Sequence, residues 1–343
     1  MCITFLENEL IPENYSKNNY LIKIDKVEPN SKTSYAFFNI DNEAFVQYDN
    51  AILDKTLDLR DDNSIKLLIL LTSGPYHLLV DFLNKIIIAK EKYKNIKLYI
   101  NTSMYENDEN KTDFDTNFYS FLFDFLKRYN IEYVLLNDWS QTDYVIVNNF
   151  IIFDKNFISS AQLDHKLFIK YFKPYIKNMD IVPTKKIYLN RKKYQNRNVY
   201  NTSLSINQDD RIKNEEILEN YLLDNGFESI SLENYFNSFE EHLNYFYSTK
   251  TLIAVTSAGL TNCIYMQENT KLLELVTPQI IEVVKNDNNY LAISLHSFWQ
   301  AVTSTKNIDH ISIGNHSRDA EYIVNKIKNN KYLEELIIGQ KND

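Results

Sequence analysis

The stretch KLLILLTSGPYHLLVDFLNKIIIAKEKYKNIKLYIN, residues 66–101, decides the fold class of this chain. Residues 66–72 are almost continuously apolar, which is typical of a strand buried on both faces. Residues 76–93 carry an apolar face at helical spacing, and residues 96–101 return to a strand pattern. A strand, a helix and a second strand in this order predict a parallel sheet covered by helices.

Similar patterns continue on both sides of this stretch. Before it, short alternating runs predict a β-rich extension of strands or hairpins at residues 20–27, 35–40 and 43–49. After it, the pattern predicts a helix at 112–130, a strand at 132–137 and a β-hairpin at 144–154 (YVIVNNFIIFD). Residues 165–182 predict a bridging helix that Pro174 interrupts.

A second alternating series fills the remainder of the chain. It predicts strands at 185–191, 227–232, 251–256 and 271–276, and helices at 211–226, 238–249, from 258 onward and at 317–337. Gly226 is expected to end its helix, and Ser317 to begin the last one. The prediction is an α/β protein with two Rossmann-like lobes facing a cleft. Its parts are an extension at 1–60, a first lobe at 61–178 and a second at 179–343, whose C-terminal helix packs back on the first lobe.

Composition excludes several classes of function. The net charge of −9 and a pI of about 5.3 argue against a general nucleic-acid-binding protein, which would carry a basic face. Cys2 and Cys263 lie too far apart in sequence for a metal-binding spacing, and two cysteines do not make a disulfide framework. No stretch reaches the roughly 18 apolar residues of a membrane span, and no basic leader precedes an apolar run. We therefore expect a cytoplasmic protein with no transmembrane segment.

A first group of candidate residues follows the strand at 66–72. Gly74 allows a tight turn or close approach of the backbone, and Pro75 suits a first helical turn. His77 and Asp81 then lie four residues apart on one helical face. A histidine beside a carboxylate can act as a general base toward an acceptor hydroxyl. The alternative is a solvated pair at a helix terminus.

A second group is basic. Arg191 follows the strand at 185–191, and Arg211 precedes Asn214 and Glu215 at the start of a helix. Arginine matches phosphate oxygens with two parallel hydrogen bonds, so these residues can stabilise a departing nucleoside diphosphate without a metal. The alternative is a solvated basic stretch.

The third group is the segment TSAGLTN, residues 256–262, between a strand and a helix. We expect this segment to hold an anion through a helix N-terminus, with its members Thr256, Ser257, Ala258, Gly259, Leu260, Thr261 and Asn262. The charged Glu274 stands in the apolar run KLLELV and needs a partner, for which a ribose diol or an arginine are the candidates.

Several motifs are absent, including GxGxxG, the P-loop, GxSxG and HExxH. One acidic triplet, Asp113-Phe114-Asp115, has the form that binds a divalent ion in some sugar transferases. It stands just ahead of a helix, where helix capping is the favoured interpretation.

Taken in order, these residues resemble glycosyltransferase family 61, which contains the EGF-domain O-GlcNAc transferases and plant xylosyltransferases. The resemblance rests on Tyr76, His77 and Asp81 in the first lobe. In the second lobe it rests on an ordered set: Arg191, Arg211 to Glu215, Gly226-Phe227, His242 with Phe246, the segment 256–262 and Glu274-Leu275. Two positions depart from the family pattern, because Thr256-Ser257 replaces the usual His-Gly and His242 the usual Gln.

The resemblance implies a GT-B arrangement and an inverting transfer from a nucleotide-sugar, commonly UDP-linked with GlcNAc or xylose, to a glycan hydroxyl. Asp81, or His77 assisted by it, would be the base, with Gly74 and Tyr76 on the acceptor side. The arginines would hold the diphosphate and Glu274 the ribose. No metal or cofactor is expected. A CMP-sialic-acid-type transferase and a catalytically silent binding module are the alternatives.

Overall fold

The computed structural model describes fifteen segments of the chain, and all structural statements below concern them. They are residues 3–4, 21–24, 34–38, 44–48, 56–58, 64–106, 108, 111–136, 144–146, 150–153, 165–190, 212–232, 235–276, 307–314 and 319–339. The chain divides into two compact units. The first unit comprises residues 16–162, and the second comprises residues 1–15 together with 163–343.

The first unit contains two sheets and the helices that follow the strand at the start of the stretch quoted above. Its strands are β2 (Leu21–Ile24), β3 (Ser34–Phe38), β4 (Ala44–Tyr48), β5 (Thr56–Asp58), β6 (Ile65–Leu70), β7 (Ile96–Asn101), β8 (Glu132–Leu136), β9 (Tyr144–Ile146) and β10 (Phe150–Phe153). One sheet has the order β2-β10-β6-β7-β8 and the other β4-β3-β9-β5. In the first sheet β10, β6, β7 and β8 run parallel, and β2 is antiparallel to β10.

The predicted helix after β6 forms, with an unusual beginning. A π-helical stretch, His77–Leu83, leads into α1 (Asn84–Lys92). Its apolar face is fully buried, with Leu79, Val80 and Ile86 at zero exposure. Single turns of π-helix are often found at functional sites.

The helices after β7 are α2 (Ser103–Glu106) and α3 (Asp113–Arg128). The spacing of Phe114, Phe118, Phe121 and Phe125 places these rings on one face of α3, and all four are buried. The Thr112 side chain begins α3 by accepting from the Asp115 backbone N–H.

The hairpin predicted at 144–154 is wrong. β9 pairs with β3 and β5 in the four-stranded sheet, whereas β10 enters the five-stranded sheet between β2 and β6. Both strands are short apolar runs, so their pattern could not show that they belong to different sheets.

The second unit is built on one six-stranded sheet. Its elements are β1 (Ile3–Thr4), α4 (His165–Phe172), β11 (Lys185–Leu189), α5 (Glu215–Asp224), β12 (Glu228–Ile230), α6 (Phe239–Tyr247), β13 (Thr249–Val255), a 3₁₀-helix (Ala258–Tyr265), β14 (Lys271–Val276), β15 (Asp309–Gly314), α7 (Ala320–Lys328) and α8 (Lys331–Ile338). The order is β1-β15-β14-β13-β11-β12, and every neighbouring pair is parallel. The protein is therefore a mixed α/β protein in which one sheet of each unit has Rossmann-like parallel strands.

Two predicted helices take a different form. The bridging helix ends at Phe172 and continues only as a 3₁₀ turn (Lys173–Tyr175), because proline cannot donate to the preceding turn. Its rings Phe168 and Phe172 stack on each other and contact Tyr265, so this segment belongs to the second unit. The sequence had assigned it to the first lobe.

The long C-terminal helix is two helices. The first ends at its C-cap Asn329, and Asn330 caps the second, since its side chain accepts from the N–H groups of Tyr332 and Leu333. Asp319 caps the start of α7, and the expected Ser317 lies outside the described residues. Both helices pack on the second unit's own core, where Ile323, Ile327 and Leu336 join Leu218 and Leu222.

The strand orders of the five-stranded and six-stranded sheets each contain one point at which the direction of strand addition reverses. In the first unit the chain runs from β6 outward to β7 and β8, and β10 returns to the opposite side of β6. In the second unit β12 lies on one side of β11, and β13, β14 and β15 follow on the other. Ligands of open α/β sheets bind at such switch points, beyond the carboxyl ends of the strands. These points follow β6 in the first unit and β11 and β13 in the second.

Candidate functional site

His77 and Asp81 lie directly after β6, at the switch point of the first unit. His77 Nδ1 is 2.7 Å from Asp81 Oδ2, so the predicted pair is a hydrogen-bonded pair. The His77 side chain is 46% exposed and the Asp81 side chain 19%. The aspartate therefore fixes Nδ1, and Nε2 is the second ring nitrogen of this half-exposed side chain.

The charges around His77 adjust its proton affinity. Burial of part of the ring lowers the pKa of His77, and Lys85 acts in the same direction. The hydrogen bond and charge of Asp81, with a contribution from Asp115, outweigh them, so the pKa of His77 lies above its ordinary value. The folded protein therefore holds a proton on His77 more readily than a free imidazole would.

The loop before His77 is held in a conformation that favours glycine. Gly74 has φ +97°, and a Cβ there would lie 3.8 Å from His77 Cδ2. The Gly74 N–H donates to Asp115 Oδ1 at 2.7 Å, and the Ser73 hydroxyl donates to Asp108. Tyr76 is 4% exposed and meets the His77 ring edge-on, so it packs beneath the histidine.

Asp115 of the acidic triplet is a capping residue, which confirms the favoured interpretation for that position. Its Oδ2 accepts from the Thr112 backbone N–H and hydroxyl at 2.7 and 2.8 Å, completing a capping box. The metal-binding alternative would need this carboxylate turned outward, and it is 1% exposed.

At the switch point of the second unit, the segment 256–262 follows β13. Leu189 and Ala254 are paired across β11 and β13, so the chain leaves both strands side by side. Ser257, Ala258 and Gly259 are accessible, whereas Thr256 and the residues from Leu260 to Asn262 are buried. The predicted helix begins here as a 3₁₀-helix, and Leu260 N–H donates back to Ser257 O. Only the three small residues can meet a ligand with their side chains or Cα atoms.

Gly259 has no conformational need to be glycine. A Cβ at this position would make only ordinary contacts, at 3.4 Å to Ser257 Oγ and 3.5 Å to Leu189 and Leu232. The folded chain thus has room for alanine at this position.

A buried histidine anchors the end of this segment. The ring of His242, which is 2% exposed, contacts Asn262 Oδ1 through Nε2. Asn262 in turn donates from Nδ2 to Gly259 O at 2.8 Å. Burial lowers the pKa of His242 to about 4, against the opposing effect of the Asn262 hydrogen bond, so the ring is neutral and donates Nε2–H. Asn262 therefore fixes the backbone of the segment at Gly259 from its buried side.

Glu274 anchors the beginning of the segment. It accepts from Thr256 Oγ1 at 2.6 Å and from Ser312 Oγ at 3.2 Å, and it lies 3.0 Å from His310 Nε2. Sequence reasoning missed His310 and Ser312, which belong to β15. The alternation of His310, Ile311, Ser312 and Ile313 is a strand signal that could have placed them beside Glu274.

The remaining predicted donor residues are divided between described and undescribed parts. Asn214 precedes α5 in a left-handed conformation with φ +54°, and Glu215 accepts from the buried Tyr188 hydroxyl at 2.6 Å. Arg191 and Arg211 lie outside the described residues. Arg191 follows Asn190, whose N–H donates to Ile230 O at the edge of the sheet.

Among the described residues, His, Cys, Asp and Glu side chains form no cluster of three or more suited to a metal ion. None of the helices in the described segments has the length and apolar character needed to cross a membrane.

Comparison with known proteins gives two findings. The family model described as Glycosyltransferase 61 matches residues 76–273, which is more than half of the chain and includes the His77–Asp81 pair and the segment 256–262. A protein of Plasmodium falciparum (isolate 3D7), named "Uncharacterized membrane protein", is 28% identical over 235 residues. That alignment covers 67% of this chain but 6% of the relative, so the chain spans a small part of the relative's length.

Proposed function

The chain belongs to the glycosyltransferase 61 family, and on this premise we propose that it is a glycosyltransferase and which reaction it performs. It moves a sugar from a nucleotide-sugar to a hydroxyl of a glycan acceptor, with inversion at the anomeric carbon. The proposed donor is UDP-linked and of the GlcNAc or xylose type. The proposed arrangement is GT-B, with the acceptor bound by the first unit and the donor by the second.

The observation that carries the proposal is the His77–Asp81 hydrogen bond at the carboxyl end of β6. A carboxylate on Nδ1 keeps the proton on that nitrogen and leaves Nε2 as the acceptor of a second proton. Because His77 is half exposed and its pKa is raised, it can reach a substrate hydroxyl and hold its proton. The geometry therefore favours His77 as the base and Asp81 as the group that orients it.

The reaction then balances as follows. The acceptor oxygen forms a bond to the anomeric carbon while its proton passes to His77 Nε2. The bond between that carbon and the diphosphate oxygen breaks on the opposite face, and the nucleoside diphosphate leaves with the electron pair. The proton on His77 is released to solvent after the products depart. A base whose pKa lies near the working pH is suited to this step.

We assign the leaving diphosphate to the accessible residues Ser257, Ala258 and Gly259, with Arg191 and Arg211. Backbone N–H groups at the beginning of a helix attract anions, and the absence of a Cβ at Gly259 allows close approach. Arginine forks can supply the positive charge that a diphosphate needs in the transition state. Under this assignment no metal is needed for the displacement.

Glu274 is the weakest of the proposed donor contacts. Its carboxylate is 1% exposed and already bonded to Thr256 and Ser312. We propose that it acts by fixing Thr256 at the entrance to the segment and does not itself hold the ribose.

A cytoplasmic location stays a prediction.

The test is a panel of nucleotide-sugars, scored by release of free nucleotide with the full chain and a mixture of glycan acceptors. UDP release with one UDP-sugar, and thermal protection by UDP but not CMP, would support the proposal. Release of CMP instead would identify a sialyltransferase-type donor, and binding without turnover over the whole panel would identify a silent binding module.

The base is tested by His77→Gln and Asp81→Asn. Both should abolish transfer while leaving UDP affinity unchanged, because neither residue belongs to the donor unit. Asp124→Asn, the same chemical change on the exposed side of α3, is the matched control and should keep wild-type turnover. Wild-type turnover of Asp81→Asn would refute the assignment.

A further inference from the structure

Asp115 does more than cap its helix. The carboxylate is 1% exposed, and its two oxygens have separate partners. Oδ2 accepts from Thr112 N and Oγ1 at 2.7 and 2.8 Å, which closes the first turn of α3. Oδ1 accepts from the Gly74 N–H at 2.7 Å, 41 residues earlier in the chain.

A helix cap needs only one of these oxygens. The second oxygen ties α3 to the loop after β6, whose backbone at Gly74 is in the left-handed region with φ +97°. Leu78 N–H donates to Gly74 O at 3.0 Å, so the first helical turn begins from the same residue that Asp115 holds. Ser73 is also tied, through its hydroxyl, to Asp108 of the connection between β7 and α3.

The position of His77 depends on this loop. His77 Cδ2 lies 3.8 Å from the point where a Cβ on Gly74 would stand. A shift of the Gly74 backbone would therefore change the packing beside the imidazole. The described charged groups that act on His77 are Asp81, Lys85 and Asp115. Asp115, which is itself buried, acts on it through space as a negative charge.

We propose that Asp115 is a positioning residue for His77: it fixes Gly74, and through Gly74 the start of the π-helical turn, while its charge supports the imidazolium that forms during transfer. The inference rests on the proposed role of His77 as the base. Under this proposal, the second aspartate of the acidic triplet supports the acceptor-side base. A metal-binding interpretation of the triplet would give it no such role.

The experiment compares three variants of the full chain. Asp115→Asn keeps the shape but removes the charge and one acceptor. Asp113→Asn makes the same change at the exposed aspartate two residues earlier, and Thr112→Ala removes the capping side chain without touching Gly74. Each variant is measured by NMR titration of the His77 ring, by kcat and donor KM, and by thermal unfolding.

Asp115→Asn should move the His77 titration to lower pH, because a negative charge beside the imidazolium is lost. It should also lower kcat by roughly 10- to 100-fold with donor KM unchanged, as expected for a misplaced base. Asp113→Asn should change none of these. Thr112→Ala should lower the thermal midpoint and leave the His77 titration in place.

Two results would overturn the inference. One is a wild-type His77 titration and kcat in Asp115→Asn. The other is an equal shift in Thr112→Ala, since capping alone would then account for both effects. If Asp115→Asn does not fold, the wild-type chain still tests the contact: the Gly74 amide should exchange slowly with deuterium, and exchange at the rate of an open chain would refute it.

Failure of the proposed base gives a different pattern. If His77→Gln keeps full turnover while the His77 ring still titrates at lower pH in Asp115→Asn, the base assignment is wrong and the positioning contact stands.

Discussion

Acidification from pH 7 to pH 4 should protonate the buried ring of His242 and thereby destabilise the second unit. The imidazole is 2% exposed and is surrounded by aromatic side chains. Phe236 and Phe246 lie at centroid distances of 4.6 and 5.0 Å, and Tyr265 at 6.1 Å. Its Nε2 contacts the neutral Asn262, and burying an imidazolium among these aromatic rings is costly.

The size of the effect follows from the pKa. Burial lowers the pKa of His242 from 6.5 to about 4, and each unit corresponds to about 1.4 kcal/mol. The neutral ring therefore contributes roughly 3 kcal/mol at pH 7. Because the unfolded state binds the proton more tightly, this stability is present above pH 6.5 and is lost as the pH falls toward 4.

The matched variant is His242→Gln, which places an amide N–H where Nε2–H stands and cannot gain a proton in this range. Other titrating groups are common to both proteins and cancel in the comparison. Hydrogen exchange of backbone amides in α6 and β13 reports the free energy of opening of the second unit at each pH. The wild type should lose roughly 3 kcal/mol more than the variant between pH 7 and pH 4. An equal loss in both proteins would refute the burial argument.

Three further predictions concern the two switch points. Gly74→Ala should cost about 1–2 kcal/mol of stability, because alanine is strained at φ +97°. Gly259→Ala should cost less stability but should weaken UDP binding. Equal unfolding free energies for the two variants would contradict this. Arg191→Ala and Arg211→Ala should each weaken UDP binding by about 1.5–3 kcal/mol in calorimetry, and unchanged affinity in both would refute the donor assignment. Tyr188→Phe removes a buried hydroxyl that donates to the carboxylate at the start of α5, and should cost about 1.5–3 kcal/mol in urea unfolding; a change below about 0.5 kcal/mol would show that this hydrogen bond contributes little.

Much of the local structure could be predicted because its causes are local. Thr112 and the apolar spacing of α3 specify that helix, and Gly226, with φ +79°, ends α5 as predicted. The C-terminal helix shows the limit of the same reasoning. Its apolar spacing continues across Asn329 and Asn330, so periodicity predicted one helix, and only the cap at Asn330 shows two.

Non-local pairing could not be predicted in this way. β9 and β10 are separated by three residues and lie in different sheets. β1 joins the edge of the second unit's sheet by pairing with β15, although β15 is more than 300 residues away. The sequence of a short apolar strand does not specify which strand it pairs with, because any exposed strand edge offers the same hydrogen-bonding groups.

The candidate site divides along the same line. The sequence alone determined that His77 and Asp81 would meet, because residues four apart on a helical turn are neighbours. It also determined that small residues would follow the strand β13. Only the tertiary structure decided that both places are switch points, since strand order depends on pairings across the whole sheet. It also decided the partners of Glu274 and the link from Asp115 to Gly74, because buried carboxylates must find donors that folding alone brings within reach.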